Sequence, residues 1–357
     1  MLPASLVRFS LGICVTGLFS ACGKDQEPEK PLVYTTVKTL AGNGIDGFAN
    51  GLGTIAQFNG PEGAAVDNQG NVYVADTGNN CIRKITPTGE VTTLAGGSAE
   101  GFVNGPAASA RFYGPIDVAL DGGGNLLVAD YANHCIRKIT PAGVVSTFAG
   151  TGVAGYTDGN ASKAQFNGPS GLTVDEQGTV YVADGENYCI RKITAAGIVS
   201  TLAGNGTRGF ADGPGSTAQF RGPEGLVLDR KGTLYVADFA GYRIRKVTTN
   251  GTVSTVAGTG IRGYADGAGN TAQFAAPTGV TFDSQGNLYV ADTGNNCVRK
   301  ITPAGEVSTV AGTRTMGFAD GTVDKAQFIN PSGLTIDTKG TLYLTEYGHR
   351  IRTITPE

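Results

Sequence analysis

Short runs of apolar residues recur along the chain and are separated by clusters of turn residues. In the first copy these runs are PEGAAVD (61–67), NVYVAD (71–76), CIRKIT (81–86) and EVTTLA (90–95). The segments DNQG, TGNN and PTG that join them are rich in the residues that tight turns require. The pattern predicts four short antiparallel strands in a meander, which we call strands a, b, c and d.

The same pattern returns six times, and each copy contains one phenylalanine 54 residues after the last: Phe58, Phe112, Phe166, Phe220, Phe274 and Phe328. A fixed period of tens of residues is typical of repeat architectures. Strand b is apolar on both faces, with Val72 and Val74 on one and Tyr73 and Ala75 on the other, so each sheet must lie between two others. Six sheets stacked radially satisfy this requirement. The sequence predicts an all-β, six-bladed β-propeller with four antiparallel strands per blade.

The two ends of the repeat region complement each other. The sixth copy reaches strand c and has no strand d after it, whereas residues 36–42 (TVKTLAG) match strand d of the other copies. Ala41 lies 54 residues before Ala95, as the period requires. We expect the N-terminal strand to complete the last blade and close the ring, which removes two exposed sheet edges.

The core motif YVADxxNxxIRKI, with PxGxxxD upstream, resembles the NHL repeat. The resemblance covers residues 33–357. It implies a six-bladed propeller and a range of roles, namely peptide, protein or RNA binding, sensor ectodomains and one zinc-dependent amidating lyase. The resemblance therefore predicts the fold and leaves the function open.

The N-terminal segment resembles a bacterial lipoprotein signal. Arg8 precedes an apolar run over residues 9–19 that is too short to span a bilayer, and Ser20-Ala21-Cys22 follows. We expect a signal peptide over residues 1–21, a lipidated Cys22 that begins a polar tether over residues 22–32, and a propeller over residues 33–357. This organisation predicts an outer-membrane lipoprotein of a Gram-negative bacterium, facing the periplasm or the cell surface. A simple secreted protein is the alternative.

Composition and spacing exclude several kinds of site. The net charge of −3 and the pI near 5.5 argue against nucleic-acid binding, which depends on Lys and Arg contacts to phosphates. The GNGIDG segment at residues 42–47 is not followed by a helical pattern, so it is not a dinucleotide loop. Four cysteines occupy one strand-c position in four different blades, too far apart for disulfides, and are predicted to be free thiols: Cys81, Cys135, Cys189 and Cys297.

Charged residues with a strict period are expected to serve the fold. An acid ends strand b and an arginine lies on strand c in every copy, for example Asp184 and Arg191, which suggests an ion pair within each blade. The Asp-Gly of the long loop, for example at Asp158, indicates either a turn or a calcium ligand. The two histidines of the chain, His134 and His349, are too few for the zinc set of the lyase and have no neighbouring nucleophile.

The positions that differ between copies are the candidates for recognition. The turn after strand b, the long loop and the start of strand a are expected on one face of the ring, around the mouth of its central channel. There the turn is aromatic in alternate blades, the channel mouth carries two glutamates, and the loops carry three arginines. The candidate ligand-binding residues are Tyr131, Phe239, Tyr347, Glu62, Glu224, Arg208, Arg221 and Arg262.

We therefore expect a binding or scaffolding module of the bacterial envelope without catalysis, whose partner is a protein, a peptide or a small molecule. No cofactor, catalytic residue or metal ligand is predicted, and membrane attachment is expected through the lipid alone. The alternative is a metal-dependent hydrolase or lyase. Lactonases and lyases on six-bladed propellers place a divalent cation at the channel mouth, where Glu62 or Glu224 could contribute a ligand. A purely structural envelope protein is a third interpretation.

Overall fold

The computed structural model describes residues 31–357, which form six antiparallel sheets arranged in a ring. The inner strands a are Pro61–Val66, Pro115–Leu120, Pro169–Val174, Pro223–Leu228, Pro277–Phe282 and Pro331–Ile336. Strands b are Val72–Asp76, Leu126–Asp130, Val180–Asp184, Leu234–Asp238, Leu288–Asp292 and Leu342–Glu346. Strands c are Cys81–Ile85, Cys135–Ile139, Cys189–Ile193, Arg243–Val247, Cys297–Ile301 and Arg350–Pro356. Strands d are Glu90–Gly96, Val144–Ala149, Ile198–Ala203, Val253–Ala257, Glu306–Ala311 and, for blade six, Tyr34–Ala41.

Short 3-10 helices occupy several of the connections. One lies in the first long loop, Gly53–Ile55, and five follow strand b: Thr77–Asn79, Tyr131–Asn133, Gly185–Asn187, Phe239–Gly241 and Thr293–Asn295. Among residues 31–357, no helix is long and apolar enough to cross a membrane. The predicted six-bladed, all-β propeller is confirmed.

The structure adds a short outer strand that the apolar pattern did not predict. It pairs with strand d in five blades and spans Gly51–Leu52, Gly105–Pro106, Gly159–Asn160, Gly267–Ala268 and Gly321–Thr322. In blade four a single bridge between Gly213 and Val253 replaces it. The long loop that leads into a blade thus pairs with strand d of that blade, and it covers part of the sheet edge that strand d would otherwise expose.

The ring closes through the N-terminal strand. Tyr34–Ala41 pairs with Arg350–Pro356 in a register that runs from Tyr34 opposite Pro356 to Ala41 opposite Ile351. Val37 and Ala41 are fully buried. The strand therefore supplies both the hydrogen bonds and the apolar face of strand d in blade six, which confirms the predicted closure.

The hydrophobic core lies between the blades. Each of six clusters joins neighbouring sheets, including blades six and one, and contains one of the six repeated phenylalanines. Around Phe166, Leu127 and Ala129 of blade two pack with Val180 and Val182 of blade three. The phenylalanine recurs because every interface needs the same large apolar side chain at the same place.

A buried arginine forms the polar centre of every blade. Arg191 pairs with Asp184 at 2.7 Å and with Asp158 of the long loop at 2.6 Å. Its guanidinium lies 5.0 Å from the ring centre of Phe166 and 5.1 Å from that of Tyr156. The predicted ion pairs between strands b and c are confirmed in all six blades. The aspartate of the Asp-Gly pair forms the second ion pair with this arginine. In blades one and two, where this position is asparagine, the side-chain oxygens of Asn50 and Asn104 accept a hydrogen bond from the arginine instead.

The four predicted thiols are free and buried, on strand c of blades one, two, three and five. Blades four and six have an arginine at this position. Arg243 stacks 3.7 Å from the ring centre of Phe210, and Arg350 stacks 3.8 Å from that of Phe318. The same strand-c position therefore holds a cysteine as a small core residue in four blades and an arginine stacked on a phenylalanine in the other two.

Candidate functional site

The six inner strands surround a central channel. Each strand a begins with a proline, and the residue after it stands at the channel mouth: Glu62, Ile116, Ser170, Glu224, Thr278 and Ser332. The channel encloses about 260 Å³ and is lined by all six strands. Strand a pairs with strand b in an antiparallel register, Pro61 opposite Asp76, so the turns after strand b lie at the same end as this mouth.

The next position along strand a shows how tightly the inner strands pack. It is glycine in five blades, and a side chain there would collide with the neighbouring backbone: a Cβ on Gly171 would lie 2.2 Å from the carbonyl oxygen of Glu224. Blade two has Asp117 at this position. Its Oδ2 accepts from the backbone N–H of Leu172 at 2.9 Å, and its Oδ1 accepts from that of Val118 at 2.8 Å.

Asp117 adds a third carboxylate to the channel, and our sequence analysis missed it. The signal was the segment PID in blade two, where the other copies read PEG, PSG or PTG. The sequence shows that aspartate replaces the glycine of the other copies. Where its carboxylate lies depends on the distance between adjacent inner strands, which the sequence does not show.

Glu62 and Glu224 belong to blades one and four, which are opposite each other in a six-bladed ring. Burial raises the pKa of Glu62 to about 7, although the nearby hydroxyl groups of Tyr347 and Thr77 oppose the increase. Burial and the charge of Glu62 raise the pKa of Glu224 to about 8. Burial also raises the pKa of Asp117 to about 7. These three half-buried acids therefore titrate near neutral pH.

Two of the three predicted aromatic residues lie beside these glutamates. Burial, together with the charges of Glu62 and Glu224, raises the pKa of Tyr347. The Tyr131 hydroxyl donates to Oε1 of Glu186 at 3.1 Å, and burial, Glu186 and the two channel glutamates raise its pKa to about 12. Phe239 begins the equivalent turn of blade four and is half-buried.

Tyr347 lies on an altered turn. Three residues separate Glu346 from Arg350 in blade six, whereas four separate Asp76 from Cys81 in blade one. The Tyr347 ring approaches Gly60 of the neighbouring blade, where a Cβ would lie 3.7 Å from its Cδ1. Tyr347 thus lies across the junction between blades six and one.

The predicted arginines lie outside the channel. Arg208 donates from its Nε to the carbonyl oxygen of Arg221 at 3.2 Å, and both side chains are exposed on the long loop before blade four. Arg262 is exposed on the following long loop. Across residues 31–357, the ion pairs include none of these three arginines. They form a separate sector of the loop face.

The histidines connect neighbouring blades. His134 Nδ1 accepts from the backbone N–H of Gly168 at 3.2 Å, and His349 Nδ1 accepts from that of Gly60 at 3.1 Å. Asn80 makes the equivalent bond to Gly114 through its side-chain oxygen. Within residues 31–357, no group of three or more His, Cys, Asp or Glu side chains is arranged to hold a metal ion.

We expect Glu224→Gln to stabilise the protein at high pH. Because the pKa of Glu224 in the folded protein, about 8, is above its ordinary value of 4.5, its stabilising contribution is complete below pH 4.5 and is lost as the pH rises through 8. The neutral amide avoids this loss. Thermal unfolding should show a gain on the order of 2 kcal/mol at pH 9 and little change at pH 4.

Glu90→Gln, at an exposed position of strand d, is the matched control and should leave the free energy of unfolding unchanged at both pH 9 and pH 4. Lower stability of the Glu224 variant than of wild type at pH 9 would contradict this description of the channel.

The closed ring of six four-stranded sheets around a channel defines a six-bladed β-propeller. The chain carries NHL repeats. The NHL repeat family matches residues 58–85, 112–139 and 274–301, and the Teneurin NHL domain matches residues 154–217. The repeat type predicted from the YVADxxNxxIRKI motif is confirmed.

The relatives share this architecture. Protein Suppressor of quenching 1, chloroplastic, of Arabidopsis thaliana is 30% identical over 281 residues, which is 73% of this chain and 27% of that protein. An auxiliary nutrient binding protein from Bacteroides ovatus superposes with a TM-score of 0.70 at 18% identity, covering 91% of this chain and 77% of that one. Virginiamycin B lyase from Staphylococcus aureus gives a TM-score of 0.56 at 16% identity, covering 90% and 100%. The likeness to both structures is one of fold.

Proposed function

We propose that this protein is a non-catalytic binding module that holds its ligand at the channel mouth on the loop face. The observation that carries the proposal is a cavity of about 260 Å³ whose mouth brings Glu62 and Glu224 together with Tyr131 and Tyr347. Concave sites with an apolar lining and a few polar groups are typical of ligand binding. The nutrient-binding description of the Bacteroides ovatus structure supports a role of this kind.

An enzymatic role is the second candidate. Three carboxylates with raised pKa values in one channel, Glu62, Asp117 and Glu224, are a feature that active sites share. A lactonase-like or lyase-like reaction would need a divalent cation there. The acids form no metal-binding group within residues 31–357, so the geometry supports binding better than catalysis.

The binding proposal predicts that aromatic residues of the turns control ligand affinity and contribute little to stability. Tyr131, Phe239 and Tyr347 replaced together by serine should leave the melting temperature close to that of wild type, because half-exposed turn positions each contribute about 0.5 kcal/mol. A panel of monosaccharides, amino acids, dipeptides and polyamines, assayed by thermal shift on residues 32–357, should contain compounds that raise the wild-type melting temperature. The triple variant should lose that response.

Tyr113→Ser, at an exposed tyrosine of the long loop, is the matched control and should keep the response. A response that survives in the triple variant would move the site away from the channel mouth, and the Arg208, Arg221 and Arg262 sector would then be tested by the same assay. A large fall in the melting temperature of the triple variant would show that these aromatic residues belong to the core.

We also propose that the propeller is attached to the outer membrane through a lipidated Cys22. This residue lies outside the part of the chain that the structure describes, and the lipobox-like Ser20-Ala21-Cys22 segment supports the proposal. Cys22→Ala should release the protein into the soluble fraction, because the acyl chains would be its only apolar anchor. Fractionation of cells that express each form, with Cys14→Ala as the control, measures this. A Cys22 variant that still sediments with outer membranes would contradict it.

A further inference from the structure

Among residues 31–357, the acids at the channel mouth have no cationic partner. The acids that end strand b each pair with an arginine, whereas the ion pairs of residues 31–357 include none of Glu62, Asp117 and Glu224. The carboxylate of Glu62 lies near the hydroxyl groups of Tyr347 and Thr77, and that of Asp117 accepts hydrogen bonds from the backbone N–H groups of Val118 and Leu172. Glu224 has no hydrogen-bond partner among the described residues. Partial burial of a carboxylate without a paired cation costs free energy, so a cation from outside would relieve that cost.

Two arginines of blade four and the loop before it have partners outside the channel. Arg208 donates to the carbonyl oxygen of Arg221. Arg243 on strand c of blade four stacks over Phe210 and donates to the carbonyl oxygens of Gly241 and Thr259. At a pH above their pKa values, the channel acids therefore carry negative charge that no cation of residues 31–357 neutralises.

The surroundings of these acids suit an organic cation. The charges of Glu62 and Glu224 act on the hydroxyl groups of both Tyr347 and Tyr131. Aromatic faces attract ammonium groups, and they do so more strongly where water is excluded. Because Glu62 and Glu224 lie on opposite blades, two ammonium groups on one short chain can each reach a carboxylate.

We propose that the channel mouth binds an organic cation that carries two ammonium groups, one directed at Glu62 and the other at Glu224, with Tyr131 and Tyr347 beside it and Asp117 below. This inference rests on the proposed binding function, and it names the chemical class of the ligand. A diamine meets the carboxylates with charge-assisted hydrogen bonds and presents its methylene chain to the apolar lining of the channel.

Isothermal titration of residues 32–357 with 1,5-diaminopentane at pH 8.5 tests the proposal. Wild type should bind the diamine and should not bind 1,5-pentanediol, which has the same chain length without charge. Glu62→Gln and Glu224→Gln should each weaken binding by about tenfold or more, which corresponds to about 1.4 kcal/mol. Glu90→Gln, exposed on strand d, should bind as wild type does.

Proton release provides a second readout. The groups that face Glu62 are Tyr347, Thr77, Asp117, Tyr131 and Glu224. With pKa values of about 7 and 8, Glu62 and Glu224 are partly protonated at pH 7, and a bound dication favours their charged forms. Affinity should therefore rise between pH 6 and pH 9. Titrations at pH 7 in buffers of different ionisation enthalpy should show that binding releases protons.

Three results would overturn the inference: no binding of the diamine by wild type, equal affinity at pH 6 and pH 9, or binding of calcium chloride in place of the diamine. The last result would identify an inorganic cation site. If the thermal-shift panel yields a neutral or anionic ligand whose effect depends on Tyr131, Phe239 and Tyr347, the cation inference fails and the proposed function stands. If no compound depends on these residues, the proposed function itself fails.

Discussion

Arg191→Ala is expected to lower the free energy of unfolding by about 3–5 kcal/mol. The guanidinium is fully buried and pairs with Asp184 at 2.7 Å and with Asp158 at 2.6 Å. Its removal leaves the buried Asp184 carboxylate without a cation. It also removes one of the donors to the backbone carbonyl oxygens of Gln165 and Thr157. Urea unfolding of residues 32–357, followed by circular dichroism, measures the change.

Lys192→Ala is the matched control, because Lys192 is the next residue on the same strand and is only half-buried. Its ammonium group lies 5.9 Å from the ring centre of Tyr181, so its loss should cost at most about 1 kcal/mol. Equal losses for the two variants would contradict the view that the buried ion pair stabilises each blade.

Removal of the closing strand is expected to have the largest effect on the whole ring. A chain that begins at Gly42 lacks Tyr34–Ala41 and the backbone pairing with Arg350–Pro356. It also loses the fully buried Val37 and the hydrogen bond from the Tyr34 hydroxyl to the carbonyl oxygen of Gly340. The exposed edge of blade six should lower the melting temperature by on the order of 10 °C or more, or abolish the cooperative transition.

A chain that begins at Leu32 keeps the strand and serves as the control. Leu32 packs against the cluster around Phe328, so this chain should melt as the longer protein does. An excess of a synthetic peptide of residues 33–42 should restore part of the lost stability, since the edge of blade six remains available for pairing. Equal melting temperatures for the two chains would contradict closure by the N-terminal strand.

Repetition explains why so much of the fold could be predicted from the sequence. A position such as Phe166 or Arg191 recurs because each blade meets its neighbours in the same way, so one local interpretation applies six times. The closing strand was predictable because Ala41 keeps the period of Ala95. The short outer strands were not, because pairs such as Gly51–Leu52 are too short to show an alternating pattern.

The site was less predictable than the fold, because it consists of departures from the repeat. The mouth positions of Glu62 and Glu224 followed from the alignment of the copies. Asp117 did not, since its carboxylate fits only because of the local spacing between inner strands. Tyr347 and Glu62 interact across the junction between the last blade and the first. Such contacts follow from ring closure and cannot be inferred from any single copy.

A crystal structure of residues 32–357 with the panel compound that raises the melting temperature most is the direct test of the binding site. The proposed function predicts density for the compound at the channel mouth, in contact with Tyr131 and Tyr347 and within hydrogen-bond distance of Glu62 or Glu224. Density only at the sector formed by Arg208, Arg221 and Arg262, or along the outer edges of the blades, would contradict it.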